Sequence, residues 1–333
     1  MAEKTQRTVK EYGGFLPLEL NPGKEYFEEY GKEFSRYNSF KAAINELLSK
    51  LGCKIIYIPY YYCPSTIMAI KKTGIEISYY HIDESFNPVD LDPEDGSAIL
   101  LVNYFGICGE KLKNISKKYN YCEIIFDFAH SFFEKPVLGD HIHNIFSAKK
   151  FFGVPDGAYL ISKVCIRNED KFSKMGDLAK YLCVAYEEGT NASYNMKKEV
   201  DSYLFSNYSE MSSLSVGLLQ NVDYERVKKQ RIENYDILYK SFKDINELAV
   251  MEECAAYQFP LLIREKGRKI KSHLVSEKIY VSTLWSGEDL IEKGNDFELS
   301  MMNDCIFLPI DQRYRAQDME YIKETVKRMV NMF

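Results

Sequence analysis

The chain contains one tryptophan, five histidines and no run approaching eighteen uncharged apolar residues. A membrane-crossing helix needs about twenty such residues, so no span is expected and no membrane partner either. The eight cysteines, at positions 53, 63, 108, 122, 165, 183, 254 and 305, form no CxxC pair and show no metal-ligand spacing. That excludes a disulfide-stapled or zinc-stapled module, and isolated thiols fit a reducing, cytoplasmic compartment. The first twenty residues mix Lys, Arg and Glu and lack an apolar h-region, so a secretion signal is not expected. Positive charge is not in surplus. Lys and Arg number 43 against 49 Asp and Glu, a net charge of -6, which gives no electrostatic footprint for nucleic acid.

What is present is ordinary globular material. Hydrophobic residues make up 46% and charged residues 28% of the 333 positions, enough for a sizeable core and no case for disorder. That length exceeds what one core usually organises, so about two domains are expected. The aromatic content is the unusual feature, and the tyrosine cluster between Tyr57 and Tyr62 is expected to divide between core and site lining.

Residues 1–24 carry Gly13-Gly14, Pro17 and Pro22 around Phe15-Leu16, the pattern of an extended arm with apolar anchors that packs on a partner subunit. Over residues 38–51, Ala42, Ala43, Leu47, Leu48 and Leu51 recur at helical spacing, with Gly52 as a stop. Short runs rich in Ile, Val and Tyr follow at 55–58, 75–82, 99–104, 123–126, 142–146 and 158–161, with helical stretches at 64–72 and 110–119 between them. This alternation predicts an α/β domain over residues 25–210 built on a mostly parallel sheet. Pro59, Asn103 and Asp127 fall at carboxyl ends of strands, the edge where open α/β sheets bind ligands. Residues 211–333 read as a linking helix and a small α+β domain. One long helix is expected from Ser212 through Val216, Leu219, Val222, Val227 and Ile232, then strands at 258–263, 280–284 and 305–308 and helices at 269–276 and 317–329.

Two segments carry the chemistry. In Ile124-Ile125-Phe126-Asp127-Phe128-Ala129-His130-Ser131 an apolar strand delivers a carboxylate to the ligand edge. In Phe146-Ser147-Ala148-Lys149-Lys150-Phe151-Phe152-Gly153 a serine and two lysines lie between a strand and a turn. Alone, the first reads as a helix cap or buried ion pair and the second as two solvated lysines. Together they meet the needs of pyridoxal phosphate (PLP): a lysine for the Schiff base, and an acid that keeps the pyridine nitrogen protonated. Asp140-His141-Ile142-His143 places two histidines on one strand face, but without a third ligand nearby it reads as an ordinary polar strand, and no metal is expected. The basic run from Arg264 to Lys271 reads as the solvated start of a helix.

At this point the chain resembles the sugar aminotransferases of the DegT/DnrJ type, within the PLP-dependent transferase-like fold (fold type I). Gly13-Gly14-Phe15-Leu16-Pro17-Leu18-Glu19 looks like the arm of one branch, and Asn38-Ser39-Phe40-Lys41 falls where the family holds the cofactor phosphate at a helix start. Pro59 to Thr66 falls where a ring-stacking aromatic is presented, at Tyr62 or, one residue on, Cys63; a ring suits the role better and favours Tyr62. Asn103-Tyr104-Phe105-Gly106, Met211 to Leu219 and Phe307-Leu308-Pro309-Ile310 follow in family order.

The resemblance implies catalytic residues Lys150 and Asp127, with Lys149 as the reserve for the Schiff base. It implies cofactor contacts from Asn38, Ser39, Tyr62, Cys63, Asn103, Asp127, His130, Ser147 and Lys150. His130 would orient Asp127 or the cofactor's phenolic oxygen. Ser147 stands only three residues before Lys150, closer than is common in the family, and Phe40-Lys41 replace small residues at the phosphate. The implied function is transfer of an amino group, with glutamate as donor, to a keto sugar that is nucleotide-linked, in a homodimer with shared sites. The rival reading is a non-catalytic relative, a cofactor-binding regulator or scaffold. A sugar dehydratase of the same family is disfavoured, since those replace the lysine with histidine.

Overall fold

The computed structural model describes residues 12–164 and 175–333; the beginning of the expected arm, Cys165 and part of the helical stretch after it lie outside these. The described arm has no regular structure up to a short turn at Glu28–Glu33, and Tyr12, Phe15, Leu16 and Leu18 are exposed. Strand β1 (Phe34–Tyr37) follows, an element the sequence pattern did not reveal. Ser39 then caps α1 (Phe40–Leu51), its Oγ accepting the Ala42 amide at 3.2 Å, and Gly52 ends the helix with φ 69°. The apolar stripe of Ala42, Ala43, Leu47 and Leu48 is buried, as its spacing requires.

Strands β2 (Ile55–Pro59), β3 (Glu76–Ile82), β4 (Pro88–Val89), β5 (Ala98–Val102), β6 (Glu123–Phe128), β7 (Ile142–Ser147) and β8 (Ala158–Ile161) join β1 in one eight-stranded sheet, ordered β1-β8-β7-β6-β5-β2-β3-β4. The central pairs β7–β6, β6–β5, β5–β2 and β2–β3 are parallel, and the outer pairs β1–β8, β8–β7 and β3–β4 are antiparallel. Helices α2 (Pro64–Lys71) and α3 (Gly109–Lys118) make the crossovers after β2 and β5. Every residue of β5 is buried, which is why that strand reads as an unbroken apolar run. The chain leaves β2 toward β3 on one side and returns to β5 on the other. That reversal opens a crevice at the carboxyl ends of the parallel strands.

After the sheet come α4 (Lys180–Glu188) and α5 (Tyr194–Ser206), which share a small apolar cluster of their own around Tyr181, Val200 and Leu204. The expected single helix from Ser212 is two, α6 (Ser213–Gln220) and α7 (Tyr224–Phe242). The apolar period runs across the break, but Asp223 caps α7 by accepting the Arg226 amide at 3.0 Å, and the Asn221 side chain bonds both backbone groups of Asn21 in the arm. The arm passes so close here that a Cβ on Gly23 would lie 2.0 Å from the Gln220 carbonyl oxygen. Beyond α7, β9 (Gln258–Leu262) pairs antiparallel with β10 (Cys305–Pro309), packed by α8 (Gly267–Ser276), α9 (Glu288–Lys293), α10 (Asp296–Asp304) and α11 (Ala316–Met332). The strand expected at 280–284 is absent: that segment is irregular, touches β9 through Ser282 and Gln258 side chains, and leads into Trp285 at φ 61°.

Candidate active site

A cavity of about 520 Å³ lies at the carboxyl ends of the parallel strands, lined by Cys63 after β2, Val102 of β5, Asp127 of β6 and Ser147 of β7. The start of α1 forms one side, α5 covers it with Lys197, Asp201, Leu204 and Phe205, and Tyr257 and Trp285 reach in from the later part of the chain. Its size is that of an ordinary small-molecule site.

Asp127 faces the cavity because strand alternation sends Phe126 and Phe128 to the other face, where their rings stack at 5.4 Å. Its carboxylate accepts the Tyr62 hydroxyl at 2.7 Å and the Ala129 amide at 2.8 Å. Burial raises its pKa, while these two donors and the Lys150 charge pull the other way. Lys150 ends the short turn Ala148–Lys150 beyond β7. Its Nζ lies 2.7 Å from His130 Nε2 and 5.5 Å from the centre of the Tyr257 ring. Burial lowers its pKa, with Cys63 and Asp127 pulling the other way. Burial, then the Lys150 charge, hold His130 well below its ordinary value, as a neutral ring stacked on Trp285 at 5.2 Å. The two lysines differ sharply, since Lys149 donates to Asp201 at 2.8 Å whereas Lys150 has no carboxylate bonded to it among the described residues.

Asn38 and Ser39 line the cavity, but the Asn38 side chain is spent on Asn207 and Ser209. Ser147 lines it with a hydroxyl that makes no cap to the turn it opens. Gly157, at φ 140°, completes the floor by donating to the Asn38 carbonyl at 2.9 Å.

Three expected placements change. Tyr62 is buried behind Asp127 as its hydrogen-bond donor and Cys63 takes the lining position, because the turn at Tyr60 to Tyr62 sets the register one residue on. Of the tyrosine cluster none lines the cavity. Asn103 is buried outside the lining, its Oδ1 accepting the Cys108 amide at 2.9 Å. His130 keeps its place in the lining; it bonds Lys150 and not Asp127, so of the two roles expected for it the contact with the phenolic oxygen is the one left. Tyr257, Trp285, Lys197 and Asp201 were missed, having no local motif; only the Lys197–Asp201 spacing of four on a helix was readable. The His141 and His143 rings both contact Glu123, and His143 is buried against Ser162, a polar staple at the opposite edge of the sheet.

The donors suit PLP: a carboxylate and a lysine at one end, hydroxyls, a helix start and further lysines at the other, and a buried His130 Nδ1 with no partner. The sheet order, with the cavity at its carboxyl edge, matches the fold of solved PLP-dependent aminotransferases. Solved structures narrow the fold to that of the DegT/DnrJ/EryC1/StrS sugar aminotransferases. The chain is similar to the aminotransferase TlmJ from Streptoalloteichus hindustanus, with TM-score 0.64 and 13% identity over 92% of this chain and 89% of that one. It is similar to a DegT DnrJ EryC1 StrS aminotransferase from Brucella abortus, with TM-score 0.61 and 15% identity over 91% and 87%. It is also similar to the putative sugar aminotransferase Spr1654 from Streptococcus pneumoniae in its PLP form, with TM-score 0.62 and 15% identity over 90% and 87%. No family model and no curated protein matches the chain.

Proposed function

We propose that this protein is a PLP-dependent aminotransferase that converts a nucleotide-linked keto sugar to an amino sugar, with glutamate as the amino donor. The observation that carries the proposal is the pair Asp127 and Lys150 in one cavity, the lysine half-buried beside His130 and bonded to no carboxylate among the described residues. The structural neighbours named as sugar aminotransferases support the substrate class.

Lys150 would hold the cofactor covalently, Asp127 its ring nitrogen, His130 its phenolic oxygen, and Ser39, Ser147 and the α1 amides its phosphate. Bound there, PLP supplies an electron sink for negative charge at the amino acid's α-carbon. The Tyr62 hydroxyl and Ala129 amide favour the ionised form of Asp127 against the effect of burial, and that form would stabilise a cation facing it. Lys150 Nζ, whose ammonium form burial disfavours, would take the substrate's Cα proton. Neutral His130 accepts from Lys150 and keeps the amine aimed into the cavity. Trp285 and Tyr257 cover this end and exclude water.

A cytoplasmic homodimer belongs to the same reading. The exposed Phe15, Leu16 and Leu18 of the arm suit a partner subunit, and no helix among the described residues is long and apolar enough to cross a membrane. The test is a panel of nucleotide-linked keto sugars incubated with glutamate. Formation of 2-oxoglutarate together with an amino sugar is expected for at least one; binding of PLP with no transfer to any would favour the non-catalytic relative.

A further inference from the structure

The far end of the cavity holds more positive charge than its own structure uses. Lys41 in the first turn of α1, Lys149 in the turn after β7 and Lys197 on α5 all line it. Asp201 is the one carboxylate among them: Oδ1 accepts from Lys149 at 2.8 Å and Oδ2 from Lys197 at 2.5 Å. Three ammonium groups against one carboxylate leave two positive charges, the complement of a phosphate dianion.

Burial lowers the Lys149 and Lys41 pKa values; Asp201 opposes this in both, while the Lys197 charge adds to it in both and the Lys41 charge adds to it at Lys149, as expected where cations outnumber the carboxylate between them. Lys41 Nζ stands 5.5 Å from the Phe205 ring, so α5 closes over it as well. Two further observations point to an anion here. Ser147 is 6% exposed, lines the same space and caps nothing. Ser39 caps the Ala42 amide, leaving the α1 amides before it for a ligand.

We propose that Lys41, Lys149 and Lys197 form a phosphate clamp, and that the Asp201 carboxylate competes with the phosphate for Lys149 and Lys197 and so sets the affinity. The identity of the phosphate as the cofactor's rests on the reading given above. Helix α5 is then a binding element rather than a mere cover, and its two charged residues act in opposite directions.

The test compares three probes on the full-length protein: PLP, pyridoxal, which has the same ring and aldehyde without the phosphate, and inorganic phosphate. The readout is the dissociation constant from the fluorescence of Trp285, the only tryptophan and a lining residue. Lys149→Gln and Lys197→Gln are each expected to weaken PLP and inorganic phosphate about 10-fold, as loss of a charge-assisted bond does, with pyridoxal unchanged. Asp201→Asn is expected to tighten both phosphate-bearing probes several-fold, and Lys149→Arg to restore most of the affinity that Lys149→Gln loses. Equal loss of PLP and pyridoxal in the lysine variants, or weaker PLP binding by Asp201→Asn, would overturn the clamp. Lys149-dependent binding of inorganic phosphate with no binding of PLP or pyridoxal would support the clamp and overturn the cofactor reading.

Discussion

Lys150 Nζ and His130 Nε2 lie 2.7 Å apart in a buried site, a distance at which only one of the two nitrogens can carry the shared proton. The ring is the weaker base there, because burial and the neighbouring ammonium both oppose its charge. His130 is therefore a neutral acceptor held flat against Trp285. Lys150 in turn has no carboxylate bonded to it among the described residues, unlike Lys149.

This pairing has a consequence for stability. The folded His130 refuses a proton that the unfolded chain accepts below the ordinary value of 6.5. Its contribution is fully present above that pH and is lost as pH falls through 6.5 toward the depressed folded value, with a slope of at most about 1.4 kcal/mol per pH unit. Urea unfolding of His130→Gln between about pH 7 and pH 5.5 should show a shallower fall than the parent protein. An identical slope in the two proteins would mean that His130 takes up its proton in the folded state.

Tyr62 and Asp127 form the second testable pair. The tyrosine hydroxyl is one of the groups that hold the Asp127 pKa down against burial. Tyr62→Phe should leave the carboxyl more often protonated and cut turnover about 10-fold, while Asp127→Asn should still bind PLP but lose about 100-fold or more. Steady-state rates with saturating cofactor check both. Near-normal turnover in Asp127→Asn would remove that residue from the chemistry.

Much of this was legible in the sequence, and the parts that were not share a cause. The parallel sheet showed itself because buried strands read as continuous Ile, Val and Leu runs separated by helical stretches. Asp127 and Lys150 showed themselves because each sits where a strand ends, so local pattern is enough to place them. Trp285 did not, since it reaches His130 through an irregular segment whose Tyr and Val composition imitates a strand. Lys197 and Asp201 look like any solvated helix pair until α5 packs over the cavity. The choice between Tyr62 and Cys63 turned on one residue of turn geometry after β2, which no periodicity encodes. The break between α6 and α7 depends on a contact with the distant arm residue Asn21.

Arg231 offers a stability test away from the chemistry. It is 1% exposed and donates to the Phe151, Ala256 and Tyr257 carbonyls and to Gln312, tying the turn that follows Lys150 to the segment that carries Tyr257. Arg231→Ala removes the donor to the Ala256 and Tyr257 carbonyls, leaves Phe151 only its Gln312 donor and opens a void, and should lower unfolding free energy by about 3–5 kcal/mol. Denaturant titration measures it, and a loss under about 1 kcal/mol would show that those carbonyls find other partners.

The arm bears on the assembly. Phe15, Leu16 and Leu18 are almost fully or largely exposed, while residues nearer Gly23 are held to the end of α6. Deleting residues 1–18 should convert a homodimer to a monomer in light scattering without unfolding the sheet. A parent protein that already scatters as one chain would contradict the dimer.

The most direct measurement is reduction of the protein with borohydride in the presence of PLP, followed by peptide mass spectrometry. The Asp127, His130 and Lys150 arrangement predicts a single stable adduct on Lys150, abolished in Lys150→Ala and retained in Lys149→Ala. An adduct on Lys149, or none on either lysine, would contradict it.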